Sequence, residues 1–313
     1  MTASLAFIFP GQGSQSVGML ADLASANDTI RATFDEASVG AGVDLWALSQ
    51  DGPEDQLNRT EFTQPALLAA SVALWRLWQA RGGATPLALA GHSLGEYSAL
   101  VAADALDLAD AARLVRLRGQ LMQAAVPVGV GLMVAVLGAD DAVIEAACAE
   151  AAQHGVVVPA NYNTPGQVVI GGDVAAVERA VALLAERGVR KAVRLAVSVP
   201  SHTPMMREAS HRLAEAMTRV TWRSPRIPVV QNADAAVHSD VETVVDALVR
   251  QLHRPVLWSR CVQDLAARGV GRLAECGPGK ALTGMSKRID KGLEAKALGS
   301  QPDFEAALAE WSA

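Results

Sequence analysis

The sequence predicts an α/β protein in which a large domain on a mainly parallel sheet carries a smaller, inserted βαββαβ unit. Three observations lead there. The chain has 313 residues, half of them hydrophobic, enough for a large core and for about two domains. Residues 1–126 and 198–313 alternate strands with longer helices, the pattern of parallel strands joined by crossover helices. Residues 127–197 change style, and their order βαββαβ is that of the ferredoxin-like unit, in which the helices pack on one face of an antiparallel sheet. A cleft between the two domains is the expected ligand site.

Taken in order, Leu5–Phe9 is an apolar strand that ends in the Pro-Gly-Gln-Gly turn of FPGQGSQ, residues 9–15. Leu87–Ala90 is a short buried strand, GHSLG follows at residues 91–95, and the Ala/Leu/Val-rich stretch from Tyr97 onward is strongly helix-forming. Leu114–Met122 lies on a further helix with one apolar arc. In the insert, Leu132–Leu137 is a strand, Asp140–His154 an alanine-rich helix, and Val156–Pro159 and Gln167–Ile170 two strands. Val174–Arg187 is a second helix and Val189–Val197 the fourth strand. No repeat or low-complexity segment interrupts the chain.

The net charge of −6 leaves no basic surplus to neutralise phosphates, which argues against a general nucleic-acid binder. Cys148, Cys261 and Cys276 are odd in number, far apart and without metal-site spacing, so they read as reduced thiols of a cytoplasmic protein. Met1–Phe9 lacks a basic segment, and its apolar run is too short for a signal peptide or a membrane span.

The chemistry centres on Ser93. A GxSxG turn between a strand and a helix gives a serine a strained, closely packed backbone that excludes Cβ atoms at its neighbours, and it places the hydroxyl near a helix N-terminus, where negative charge is favoured. An ordinary glycine turn meets the same five-residue pattern. A serine nucleophile needs a base, and six histidines compete for the role. His92 lies inside the turn and is expected to point away from Ser93, while His154, His211, His238 and His253 fall on helices or surface loops. His202, in SVPSHTPMM, stands where the chain re-enters the large domain, in a loop held by Pro200 and Pro204; a structural or solvated histidine is the alternative. The N–H of Leu94 can serve as an oxyanion donor, and the turn around Gln12 exposes further backbone donors.

Arg118 stands in an unexpected place. Leu114, Val115, Leu117, Leu121 and Met122 define an apolar arc, with Arg118 in its middle and Arg113, Arg116 and Gln120 opposite. A guanidinium on a buried face needs an anion, either a buried protein carboxylate or the carboxylate of a substrate.

Together these residues resemble the malonyl-CoA:acyl carrier protein transacylases and the acyltransferase domains of polyketide synthases. The resemblance spans the chain: FPGQGSQ, GHSLGEYSAL, RLVRLRGQLMQ around Arg118, NYNTPGQVVIGG at 161–172, SVPSH ending at His202, VRQLHRPVLW at 249–258 and GPGKALTGM at 277–285, all in the family's order. It implies an α/β-hydrolase-like domain carrying a ferredoxin-like insert. It also implies Ser93 as nucleophile, His202 as base, the backbone amides of Gln12 and Leu94 as oxyanion hole, and Arg118 as the group that binds the malonyl carboxylate. Gln251 matches a glutamine whose main-chain carbonyl orients the histidine. That accounts for an absence: no acidic residue stands convincingly in the order Ser, Asp/Glu, His, since Asp173 ends a strand but starts an insert helix.

The implied reaction moves malonyl from malonyl-CoA to the phosphopantetheine thiol of an acyl carrier protein, with no bound cofactor or metal, no membrane or nucleic-acid partner, and a monomeric protein. A serine hydrolase or thioesterase would pass the acyl group to water. A non-catalytic acyl-binding protein keeping the fold is a third possibility, disfavoured by intact Ser93, His202 and Arg118. The freestanding length favours fatty-acid synthesis over a discrete polyketide acyltransferase or a malonate decarboxylase subunit. Arg187, Arg190, Lys191 and Arg194, or Lys280, Lys287, Arg288 and Lys291, offer a basic patch for an acidic carrier protein.

Overall fold

The computed structural model describes residues 4–197 and 199–312; the terminal limits at 1 and 313 and the junction at Ser198 lie outside the described residues. The strands are β1 (Ser4–Phe9), β2 (Ala88–Gly91), β3 (Gly131–Leu137), β4 (Val157–Thr164), β5 (Gln167–Asp173), β6 (Lys191–Arg194), β7 (Val229–Gln231), β8 (Ala236–Val237), β9 (Val270–Glu275) and β10 (Glu294–Ala297). Six form one sheet in the order β10-β9-β1-β2-β7-β8, parallel throughout except for the antiparallel pair β7 and β8. Strand alternation divides the packing cleanly. Phe7 and Phe9 of β1 face a large helical layer, while Ala6 and Ile8 face a second core with Trp258 and Leu265.

The other four strands form an antiparallel sheet in the order β4-β5-β3-β6. The helices Asp141–Ala151 and Val174–Glu186 cover one face through Val134, Val136, Ile144, Val168, Ile170 and Val177. The opposite face presents Met133, Ala135, Ala160 and Val169 toward the large domain. Expected strand limits shift in two directions. β4 runs on to Thr164 in its pairing with β5, and β5 runs on to Asp173 in its pairing with β3, because the antiparallel ladders continue past the apolar residues. β6 is Lys191–Arg194, not Val189–Val197: beyond it Leu195 N still donates to Met133 O at 2.9 Å, and Leu195 and Val197 pack on the open face of the small sheet. The sheets are joined where Tyr162 N donates to Val256 O and Val256 N to Ala160 O, each at 2.9 Å.

The end of β2 sets the site. A Cβ on Gly91 would lie 1.9 Å from the Gly95 carbonyl carbon, and one on Gly95 would lie 2.0 Å from Phe9 O, so the GHSLG turn packs backbone to backbone on itself and on β1. Gly91→Ala therefore has nowhere to place its methyl group, and we expect a loss of about 3 kcal/mol or more of stability. Gly284, on the helix Ala281–Ile289 with open space around it, is the control: Gly284→Ala gains up to about 1 kcal/mol from helix propensity. Thermal melting of the two variants against the parent checks the contrast; equal midpoints would contradict the packing argument.

Candidate active site

Ser93 sits between β2 and the helix Gly95–Ala102 with φ of 51°, the left-handed conformation that a tight nucleophile turn imposes. The turn is held from outside. Ser93 N donates to Asn232 Oδ1 at 2.7 Å, and Asn232 Nδ2 donates to Gly91 O at 2.7 Å. His202 is also left-handed, at φ 62°, and its N donates to Leu252 O at 3.1 Å. Both strained residues face each other, with Ser93 Oγ 2.8 Å from His202 Nε2.

The histidine's proton is fixed by its second bond. His202 Nδ1 lies 2.7 Å from Gln251 O, and a carbonyl can only accept, so Nδ1 carries the proton and Nε2 is left as the acceptor for the serine hydroxyl. His202 is only 3% exposed. Burial, reinforced by the charge of Arg118, lowers its pKa from 6.5 to about 3, which keeps the imidazole neutral. The partner of Nδ1 is thus a main-chain carbonyl, not a carboxylate. Asp173 is engaged elsewhere, capping the helix Val174–Glu186 through Ala176 N at 2.8 Å and accepting from Val156 N.

Arg118, on the helix Leu108–Ala125, is 2% exposed and makes no ion pair among the described residues. Its Nη1 donates to Gln64 Oε1 at 2.8 Å; its Nη2 donates to Gln251 Oε1 at 3.0 Å and to Ser93 Oγ at 3.1 Å. The guanidinium also lies 5.8 Å from the centre of the Tyr97 ring. Of the two anions that the sequence left open, a protein carboxylate is therefore not in contact. Neutral oxygens hold the cation, and burial lowers its pKa.

These groups line a cleft of about 240 Å³ between the two sheets. One wall is apolar, made of Met133 and Val169 from the open face of the small sheet with Leu195 and Val197 after it. Gln12 and Leu94 also line it, and neither backbone amide donates to a protein acceptor among the described residues. Gly11, just before Gln12, is pressed against His92, since a Cβ there would lie 2.6 Å from His92 O. His92 belongs to the cleft lining too, with Nε2 2.9 Å from Asn163 Oδ1, so its ring is tied to the small domain and does not bond to Ser93. His154, His211, His238 and His253 are not part of this lining.

Sequence reasoning missed four participants. The side chain of Gln251, beyond its carbonyl, donates through Nε2 to Ser93 O at 2.8 Å and to Glu96 Oε2 at 3.2 Å. Glu96, fully buried, also accepts from Asn232 N at 2.7 Å and Gln231 Nε2 at 3.0 Å. Glu96 carried a legible signal, a charged residue inside the apolar run GEYSALVA. Gln64 carried a similar one in the helix Thr60–Ala80, which is buried continuously from Phe62 to Trp75. Asn232, just past β7, carried none.

The acyl transferase domain family matches residues 6–297 of this chain. The malonyl CoA-acyl carrier protein transacylase of Escherichia coli K12 is 54% identical over 97% of the chain and 98% of its own length. The structure of a malonyl-CoA:acyl carrier protein transacylase from Xanthomonas oryzae superposes with a TM-score of 0.98 at 65% identity, covering 100% of both chains. A malonyl-transacylase solved in complex with a type II PKS acyl-carrier protein superposes with a TM-score of 0.97 at 51% identity, covering 98% of this chain and 100% of that one.

The neutral, buried His202 makes a pH prediction. Its protonation lies far below 6.5, so the imidazole stays neutral in mildly acidic solution. Labelling of Ser93 by a fluorophosphonate, which needs a neutral base, should stay level from about pH 8 to about pH 5. A fall in labelling rate centred near the ordinary value of 6.5 would contradict this environment.

Proposed function

The chain belongs to the acyl transferase domain family and, within it, to the malonyl-CoA:acyl carrier protein transacylases, and from that premise we propose the route by which its own residues carry malonyl transfer. Ser93 Oγ attacks the thioester carbonyl of malonyl-CoA while His202 Nε2 takes its proton. The oxyanion of the tetrahedral intermediate meets the amides of Gln12 and Leu94. As the intermediate collapses, the C–S bond breaks, the CoA sulfur takes the proton from His202, and malonyl remains as an ester on Ser93. The phosphopantetheine thiol of the acyl carrier protein then gives its proton to His202 and attacks the ester. The C–Oγ bond breaks and His202 returns the proton to Ser93. Arg118 pairs with the free malonyl carboxylate in both halves of the cycle.

The observation that carries this reading is the guanidinium of Arg118, buried beside Ser93 Oγ with only neutral acceptors. A hydrolase pocket gains nothing from such a cation, whereas an acyl group that ends in a carboxylate needs it. The apolar wall of Met133, Val169, Leu195 and Val197 suits a pantetheine arm and leaves water few polar anchors. In this reading residues 1–126 and 198–313 form the catalytic domain and residues 127–197 the small domain that closes the cleft. The protein acts as a cytoplasmic monomer supplying fatty-acid synthesis, in keeping with its buried free thiols.

The two basic clusters differ in a way that points to one docking surface. Arg187 pairs with Glu150 at 2.6 Å and Arg194 with Glu178 at 2.5 Å, which neutralises half of the first. Lys280, Lys287, Arg288 and Lys291 make no ion pair among the described residues, and they flank or lie on the helix Ala281–Ile289, whose Ala281, Leu282 and Met285 line the cleft. We assign carrier-protein docking to this second cluster.

Three measurements test the proposal. With malonyl-CoA, intact-mass spectrometry should show one malonyl adduct on the peptide containing Ser93, and none on Ser93→Ala; no adduct on the parent protein would sink the route. Arg118→Ala should lower malonyl loading about a hundredfold or more, because the carboxylate loses its buried partner, while acetyl loading is kept or improved. An unchanged malonyl-to-acetyl ratio with a lowered melting point would make Arg118 structural. Charge reversal at Lys287 and Arg288 should raise KM for the carrier protein about three- to tenfold and leave KM for malonyl-CoA alone; unchanged values for both would remove this cluster from docking.

A further inference from the structure

Among the described residues, two buried charges in this site lack a direct partner of opposite sign. Arg118 is held by the oxygens of Gln64, Gln251 and Ser93, and Glu96 by the nitrogens of Gln231, Asn232 and Gln251. Among the described residues the only group that bonds to both is the side-chain amide of Gln251, with Oε1 on the guanidinium and Nε2 on the carboxylate. All three donors to Glu96 are N–H groups, and among the described residues no acceptor faces its carboxyl, which suits the ionised form. A cation buried alone is costly, and so is an anion; one amide apart, each offsets the other while the guanidinium keeps its open side toward the cleft.

We propose that Glu96 is a positioning residue that tempers the hold of Arg118 on the malonyl carboxylate, acting across the Gln251 amide. The proposal rests on the reading of Arg118 given above. In the empty site the pair is balanced. When the substrate carboxylate meets Arg118, Glu96 repels it from behind Gln251, so malonyl is bound selectively without being trapped, and the ester can pass on to the carrier thiol. Glu96 also fixes which end of the Gln251 amide faces Arg118, because its carboxylate can only accept.

Glu96→Gln removes the charge and keeps the shape. Asn232 N–H is main chain and cannot turn, so the amide oxygen of the variant takes the place of Oε2, preserving the bonds to Asn232 and Gln251 and setting its NH₂ against Gln231. Binding of malonyl-CoA and acetyl-CoA is measured by calorimetry on Ser93→Ala protein, which cannot load, at about pH 8.5, above the value of about 7 to which burial raises Glu96. The ratio of the acetyl-CoA Kd to the malonyl-CoA Kd should rise about three- to tenfold on adding Glu96→Gln, and this gain should vanish when Arg118→Ala is also present. A ratio that is unchanged or lowered by Glu96→Gln overturns the proposal. If Arg118→Ala alone leaves the ratio where Ser93→Ala has it, the earlier reading of Arg118 fails instead.

A second arm needs no change at Glu96. In Ser93→Ala protein the same ratio should rise as pH falls from about 8.5 to about 6, because protonated Glu96 no longer repels the substrate. The neighbours facing Glu96 do not supply that trend. Tyr97 on its own helix and Cys261 on the helix Trp258–Ala267 are pushed further up by burial and stay neutral. Asp234, after β7, is lowered by Arg250 and His238 and stays ionised, Arg118 keeps its charge, and His202 stays neutral. Titration of the CoA phosphates is common to both ligands. A ratio that does not vary with pH would overturn the proposal even if Glu96→Gln failed to fold.

Discussion

The bond of 2.7 Å from His202 Nδ1–H to the main-chain carbonyl of Gln251 is the constraint on which the rest of the site depends. A carbonyl fixes the tautomer as a carboxylate does, but it brings no charge into a pocket that already holds a guanidinium and, in the proposed reaction, receives an anion. A triad carboxylate at that point would compete with the substrate for Arg118. The imidazole of His202 is thus kept neutral by burial and by the adjacent cation, as the proposed role of base requires. The left-handed backbones of Ser93 and His202 are the local strain that this arrangement holds, stabilised by Asn232 on one side and Leu252 on the other.

Gln251 then joins the base to the acyl pocket. Its carbonyl holds His202, its Oε1 holds Arg118, and its Nε2 holds Ser93 O and Glu96. The residue is fully buried on the helix Val241–His253, so these bonds are shielded from water. One helix therefore ties together His202, the Ser93 turn and Arg118, the proposed base, nucleophile and carboxylate-binding cation, while the small sheet contributes the apolar wall opposite.

The features legible in the sequence were those that depend on short-range pattern. The strand and helix on either side of GHSLG, the βαββαβ order and the displaced arginine at 118 all follow from periodicity within a dozen or so residues. The apolar character of Leu195 and Val197 extends the expected strand to Val197, and only the tertiary structure shows that both line the cleft. The polar network was mostly illegible, because its bonds join residues far apart in the chain, such as Gln231 to Glu96 and Gln251 to Ser93. Gln64 and Glu96 could have been found by the argument that found Arg118, a polar group inside an apolar helix. Asn232 could not, since a polar residue after a strand reads as an ordinary loop.

The central claim is that Arg118 is held by neutral oxygens so that its guanidinium can take the substrate's carboxylate at the nucleophile. A crystal structure of the protein soaked with malonyl-CoA, and so carrying the malonyl ester on Ser93, tests this directly. The account predicts the malonyl carboxylate paired with the Arg118 guanidinium at about 2.8 Å, with Nη2 released from Ser93 Oγ and Gln251 unmoved. A malonyl carboxylate turned toward the mouth of the cleft, with Arg118 still bonded only to protein oxygens, would contradict it.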